Sequence, residues 1–255
     1  MIGNATVVVD ALPGLRRAVA KEFAEQARRA IAGRGRFLVA LPGGSVADHF
    51  FPTLAVLHLD WSRMEFFWID ERAVLPDDPE SNYARASTLW LTPAGVSASQ
   101  IHRMRGEDPD LGRAARSAEE ELIAVAGNPP RLDLVLAGAG EDGHVASIFP
   151  GGAGLPPPRK ASADRRSLGE GGHPCPLVAA VYDSPKPPPR RLTLTMPVLA
   201  RAERVVIAAL GQSKAKAIRE ALKDKDSATP LAHLLRVARS SIVFLDNAAS
   251  GDAVS

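Results

Sequence analysis

Cysteine is nearly absent. The one present, Cys175, can close no internal disulfide and offers no thiolate cluster for a structural metal. An excess of one charge is missing too: 31 Lys and Arg stand against 29 Asp and Glu, for a net +2. The basic residues are spread along the chain, with neither zinc-finger spacing nor a helix-turn-helix pattern, so no nucleic-acid partner is expected. No apolar run approaches the ~20 residues that span a bilayer. The opening Met1-Ile2-Gly3-Asn4-Ala5-Thr6 lacks the basic and then apolar stretches of a secretory signal. These absences point to a cytoplasmic protein without membrane contacts. No internal repeat is visible.

The chain holds 255 residues, of which 45% are hydrophobic and 24% charged, enough for one large α/β domain or two small ones. Short apolar runs at 6–10, 37–41, 64–69, 132–136, 204–210 and 242–246 read as buried strands. Helical periodicity lies between them. Leu15, Val19, Phe23, Ala27 and Ile31 recur at steps of four, with Gly33 placed as a C-cap. Further helices are expected from Val46 to Leu57 and over 83–90, 111–125, 213–222 and 231–235. Strands alternating with helices imply an open, mostly parallel sheet with helices on both faces, a Rossmann-like α/β fold in a single domain over 1–246. Residues 151–176, rich in Gly, Pro, Ser and Arg, read as a flexible inserted segment. Residues 247–255 read as a frayed tail.

Polar segments follow the strands that end at Leu41, Ile69, Leu136 and Leu210. Parallel strands would bring all of them to one edge, where α/β proteins bind ligands. Pro42-Gly43-Gly44-Ser45 precedes a helix. Its glycines let an anion approach the free N–H groups, and Ser45 is a candidate cap, although the same tetrapeptide serves as an ordinary turn. Asp70-Glu71-Arg72 breaks abruptly from Phe66-Phe67-Trp68-Ile69. Arg72 can grip a phosphate or carboxylate, Asp70 can orient it or a substrate hydroxyl, and the plain alternative is a solvated turn with an ion pair. Ser81-Asn82 is an N-cap signal.

Gly138-Ala139-Gly140-Glu141-Asp142-Gly143-His144 is the most telling segment. An imidazole takes a proton from water near neutral pH, and an adjacent carboxylate raises its basicity and fixes its tautomer. In Gly211-Gln212-Ser213-Lys214, Lys214 sits where a helix start favours anions, which suggests a bound anion beside it. Upstream, the prolines of Ser184-Pro185-Lys186-Pro187-Pro188-Pro189 stiffen the chain around Lys186.

In this order, over residues 37–222, these segments resemble the 6-phosphogluconolactonase family. The match also takes in Phe149-Pro150-Gly151, Leu192-Thr193-Leu194-Thr195 and the run from Gly211 to Ala215. There are three departures, one being that residues 151–176 are longer and richer in Gly and Pro than the family pattern between its motifs. Pro42 replaces a small polar residue, and Val46-Ala47 replaces Thr-Pro at the helix start. The resemblance implies hydrolysis of 6-phospho-D-glucono-1,5-lactone to 6-phospho-D-gluconate in the oxidative pentose phosphate pathway, with no metal or organic cofactor. His144 would be the general base, held by Asp142. Arg72, or amides near Gly138 and Gly44, would face the oxyanion. The phosphate would sit among Gly43, Gly44, Ser45 and one or more of Arg72, Lys186 and Lys214, with Asp70 and Asn82 also lining the substrate site. The partner is a small sugar-phosphate lactone, and the expected state is a monomer or weak homo-oligomer.

Two rivals remain. Glucosamine-6-phosphate deaminase/isomerase has a similar Asp-Gly-His loop, but places a Glu shortly after the His, and no acid lies between Val145 and Gly151. Arg72 also stands where that family has an aromatic residue. A non-catalytic sugar-phosphate sensor would normally carry a DNA-binding segment, and none is visible.

Overall fold

The computed structural model describes residues 5–152 and 175–251. Among the described residues ten strands form two sheets: β1 (Ala5–Val9), β2 (Phe37–Leu41), β3 (Met64–Trp68), β4 (Asp70–Arg72), β5 (Ile101–His102), β6 (Leu134–Gly138), β7 (Val178–Val181), β8 (Arg191–Leu194), β9 (Arg204–Ala209) and β10 (Ser241–Leu245). The larger sheet has seven strands in the order β1-β10-β9-β6-β2-β3-β5. Every pairing in it is parallel.

Helices cover both faces. The described helices are α1 (Leu12–Arg34), α2 (Gly44–Ala55), α3 (Asn82–Ala86), α4 (Leu111–Ala126), α5 (Met196–Arg201), α6 (Ala215–Lys223), α7 (Pro230–Val237) and α8 (Asn247–Ser250). α1 and α2 pack Leu15, Phe23, Phe50 and Leu54 against Val39, Leu41, Leu136 and Phe244. α4 to α7 pack Leu111, Leu122, Leu199, Ile218 and Leu231 against Leu38, Val135, Ile207 and Val243 on the other face. Burial on both sides explains why Phe37–Leu41 is apolar at every position rather than at alternate ones. Among the described residues no helix is long and apolar enough to cross a membrane.

The expected parallel sheet is therefore present, with four differences of detail. Asp70-Glu71-Arg72 is not a solvated turn: it is β4, paired antiparallel with β8, which in turn pairs with β7 in a second, three-stranded sheet. Donors satisfy the carboxylates of Asp70 and Glu71, so a polar sequence forms a strand that is buried at both acids. The expected helix over 83–90 is a single α turn, α3, that widens into a π turn at Ser87–Leu91. The tail is not frayed where it is described. Asp246 accepts from the Ala249 N–H at 2.7 Å and caps α8, which buries Ala249. Most of the proposed insertion, residues 153–174, and the final residues 252–255 lie outside the described residues.

The fourth difference concerns the end of α1. Gly33 lies inside the helix, and the cap is Gly35, in the left-handed region at φ 78°, with its N–H on the Ile31 carbonyl at 2.8 Å. A Cβ on Gly33 meets no atom within 4 Å. Gly33→Ala should therefore stabilise the protein by about 0.5–1 kcal/mol, because alanine loses less backbone entropy in a helix. Gly35→Ala should cost about 1 kcal/mol, since its φ is positive. Urea unfolding of both variants checks this pair of opposite signs.

Candidate active site

From β2 the chain proceeds outward to β3, and from β6 it proceeds the other way to β9 and β10. The order reverses between β2 and β6, so the loops that follow these two strands diverge and leave a crevice. The loops after β3 and β9 flank it. Residues from all four loops line one cleft of about 220 Å³: Gly43, Gly44 and Ser45; Asp70, Arg72 and Asn82; Gly138, Gly140 and His144; and Lys214. Arg191 from β8 adds a further cation.

The loop after β6 is a compact turn. The Gly140 N–H donates to the His144 carbonyl at 2.9 Å, and the Gly143 N–H to the Gly140 carbonyl at 3.1 Å. α7 braces it from outside, where the Leu231 N–H donates to the Gly143 carbonyl at 2.9 Å. His144 Nδ1 lies 2.5 Å from Asp142 Oδ1, which also accepts the His144 N–H at 3.2 Å. Burial works to raise the Asp142 pKa, but its bonds and charge contact with His144 win, and the net shift is downward. An ionised carboxylate only accepts, so Nδ1 carries the proton and Nε2 is left as the basic nitrogen. The imidazole packs at 4.7 Å, centroid to centroid, on the Phe149 ring. Burial is the main cause that lowers the His144 pKa, and the Lys186 charge adds to it, against the raising effect of Asp142. A Cβ on Gly140 would fall 2.0 Å from His144 Nδ1, so the imidazole sits where only glycine leaves room.

The opposite wall is held by buried charge. Glu71 accepts from the N–H groups of Arg72, Asn82 and Tyr83 at 2.7–2.8 Å and from the Ser81 hydroxyl at 3.1 Å. It thereby fixes the start of α3, which Ser81 caps. Burial pushes the Glu71 carboxyl up, against the lowering effect of these donors. Asn82 donates to the Asp70 carbonyl at 2.9 Å, and its Oδ1 occupies the space a Cβ on Gly43 would need. Asp70 accepts from the Ser147 hydroxyl at 2.7 Å and lies 3.9 Å from Arg191 Nη1. Arg72 donates to the Glu80 carbonyl at 2.6 Å. Asp70 thus pairs with Arg191 and not Arg72: the register of β4 on β8 sets Asp70 opposite Thr193, and Arg191 is its diagonal neighbour, two residues along β8.

Two more expectations change. Ser45 does not cap α2: Gly43 is the N-cap residue and no side chain closes that end. Lys214 lies in a short 3-10 turn ahead of α6 and pairs with Glu141 at 3.6 Å. The Ser213 hydroxyl, and then the Lys214 charge, hold the Glu141 carboxyl low. Lys186 is outside the cleft lining, with its amide on the Ser184 hydroxyl at 3.2 Å.

Residues 13–243 match the family described as glucosamine-6-phosphate isomerases/6-phosphogluconolactonase. The chain belongs to this family. A curated protein named 6-phosphogluconolactonase from Mycobacterium tuberculosis is 34% identical over 206 residues, 77% of each chain. One of that name from Synechocystis is 35% identical over 196 residues, 75% of this chain and 74% of the other. A solved 6-phosphogluconolactonase structure from Trypanosoma brucei superposes with a TM-score of 0.79 at 26% identity, covering 97% of this chain and 98% of that one.

Against that family background, sequence reasoning missed Arg191, Ser147 and Glu71 as site residues. Arg191 carried a legible signal: a cation at the start of the apolar-alternating Leu192-Thr193-Leu194. A larger cavity of about 550 Å³ opens at the amino edge of the sheet, beside Arg34, Asp133, Glu203 and Arg239. Its carboxylates already pair with Arg34 and Arg131, and it lies at the opposite edge from His144.

The charge environment of His144 predicts two opposite shifts. Asp142→Asn removes a raising influence, so the His144 pKa should fall further below the ordinary 6.5. Lys186→Met removes a lowering one, so it should rise. NMR titration of the imidazole C–H signals, assigned with His144→Gln, measures both.

Proposed function

We propose that this chain hydrolyses 6-phospho-D-glucono-1,5-lactone to 6-phospho-D-gluconate in the oxidative pentose phosphate pathway, with His144 as general base. The observation that carries the reading is a half-buried, carboxylate-paired imidazole on the same cleft as the Gly-Gly-Ser helix start and the cations Arg72, Arg191 and Lys214. The names of the mycobacterial and cyanobacterial relatives support the same reaction. The setting proposed with it is cytoplasmic, where the exposed Cys175 would stay reduced.

A δ-lactone is an activated ester, so the demands on the protein are modest. His144 Nε2 takes a proton from water as the water oxygen attacks C1. Asp142 holds the Nδ1 proton and stabilises the imidazolium that forms. Arg72 faces the oxyanion of the tetrahedral intermediate, where positive charge stabilises the transition state more than the ground state. As the intermediate collapses, the C1 to ring-oxygen bond breaks and the imidazolium returns its proton to that oxygen. The phosphate lies against the N–H groups at the start of α2, with Arg191 and Lys214 beside it. Anchoring that remote group positions C1 against the base.

His144→Ala should lower kcat by ~10²–10⁴-fold with a smaller change in KM. The assay is a coupled one with freshly generated lactone, because the substrate also hydrolyses spontaneously. Near-normal turnover would remove His144 from this role, and ammonia release from glucosamine 6-phosphate would favour the rival chemistry. Gly140→Ala, which must displace the imidazole, should cost about 10²-fold in kcat. The base works when neutral and its pKa is lowered, so activity should persist below pH 6.5 and fall only as pH drops through the depressed value.

A further inference from the structure

Ser147 lies three residues after the imidazole, is fully buried, and touches neither the base nor the open cleft. Its backbone N–H donates to Thr193 Oγ1 at 3.2 Å. Its hydroxyl donates to Asp70 Oδ2 at 2.7 Å and accepts from Arg191 Nη1 at 3.3 Å. One residue of the base-bearing turn is thus bonded to both β4 and β8. Arg191 is held independently of it: Nε donates to the Pro188 carbonyl, and Nη2 to the Lys186 and Pro187 carbonyls. Four of its five N–H groups are engaged in these bonds, Nη1 also lies 3.9 Å from Asp70 Oδ2, and the guanidinium lines the cleft.

The turn itself is under tension. Ala146, between His144 and Ser147, has φ 53°, a left-handed conformation that an alanine keeps only when its surroundings impose it. The bonds of Ser147 are such an imposition. Phe149 continues the same linkage: its ring packs on His144 at 4.7 Å and lies 5.8 Å from the Arg191 guanidinium.

We propose that Ser147 is a positioning residue that fixes the spacing between the imidazole and the Arg191 wall, so that a substrate anchored by its anionic end presents its carbonyl carbon to the base. This rests on the lactonase reading, in which Arg191 takes the phosphate. Ser147 adds no binding energy. It converts remote binding into alignment at the reacting atom. Its loss therefore matters only for a substrate that carries the anchor.

The test compares Ser147→Ala with wild type on 6-phospho-D-glucono-1,5-lactone and on phosphate-free D-glucono-1,5-lactone. The expected result is a ~10–100-fold fall in kcat on the phosphorylated lactone. KM should stay within about threefold, the acid limb of the pH profile should not move, and kcat/KM on the phosphate-free lactone should be nearly unchanged. Equal losses on both lactones, a rise in KM alone, or a shifted acid limb would overturn the proposal. Should Ser147→Ala not fold, Ser147→Cys retains the volume with a weaker donor and should show a smaller fall of the same selectivity; no fall overturns the proposal. Arg191→Lys separates the two levels. If it leaves KM for the phosphorylated lactone untouched, the phosphate assignment fails and the proposal falls with it. If it raises KM while Ser147→Ala behaves as wild type, only the role of Ser147 is lost.

Discussion

The seven parallel strands are covered on both faces, and this double burial constrains everything else. Apolar side chains fill both sides of β2, β6 and β9, so polar chemistry has room only at the strand ends. Parallel direction then sends the loops after β2, β3, β6 and β9 to a single edge. Because these four strands are neighbours in the sheet, their loops meet over a short distance. The reversal of strand order between β2 and β6 opens the crevice that receives them.

Within the crevice, charge is managed by pairing rather than by exposure. Glu71 is buried and pushed toward its neutral form, yet four donors converge on it and lock α3 against β4. Asp70 and Arg191 lie 3.9 Å apart, bridged by the Ser147 hydroxyl. Breaking one partner of such a group leaves an uncompensated buried charge, so these side chains set the shape of the wall. His144 differs in kind. Burial favours its neutral form, and an ionised carboxylate defines its tautomer. The second sheet, β4-β8-β7, brings Arg191 into the site from far along the chain.

Six of the seven strands described in the parallel sheet were legible to within a residue or two, because they are continuous apolar runs such as Phe37–Leu41, whereas the two-residue β5 and the polar β4 carry no such run. The Gly-Gly-Ser turn, the Asp-Gly-His loop and Lys214 were legible because glycines and ionisable groups at strand ends are locally costly unless they serve a purpose. That Asp70-Glu71-Arg72 forms a strand was not legible, since nothing in three consecutive charges announces the donors that receive the two carboxylates. The C-cap of α1 was placed two residues early because Gly33 and Gly35 offer the same local signal, and only the helix's own length against the sheet selects between them.

The sequence by itself determined the alternation of buried strands and helices, the parallel class of the sheet, and the residues able to take a proton or meet an anion. Those are consequences of side-chain chemistry and short-range spacing, which need no knowledge of distant partners. The tertiary structure alone decided that Asp70 pairs with Arg191 instead of Arg72, that Ser147 ties the His144 turn to the cationic wall, and that Lys186 acts on His144 and Asp142 by its charge without lining the cleft. Such contacts join residues far apart in the chain, 77 positions for Ser147 and Asp70 and more for Asp70 and Arg191. Their pairing depends on strand register and on the packing of two sheets, and neither quantity is written in any local stretch of the chain.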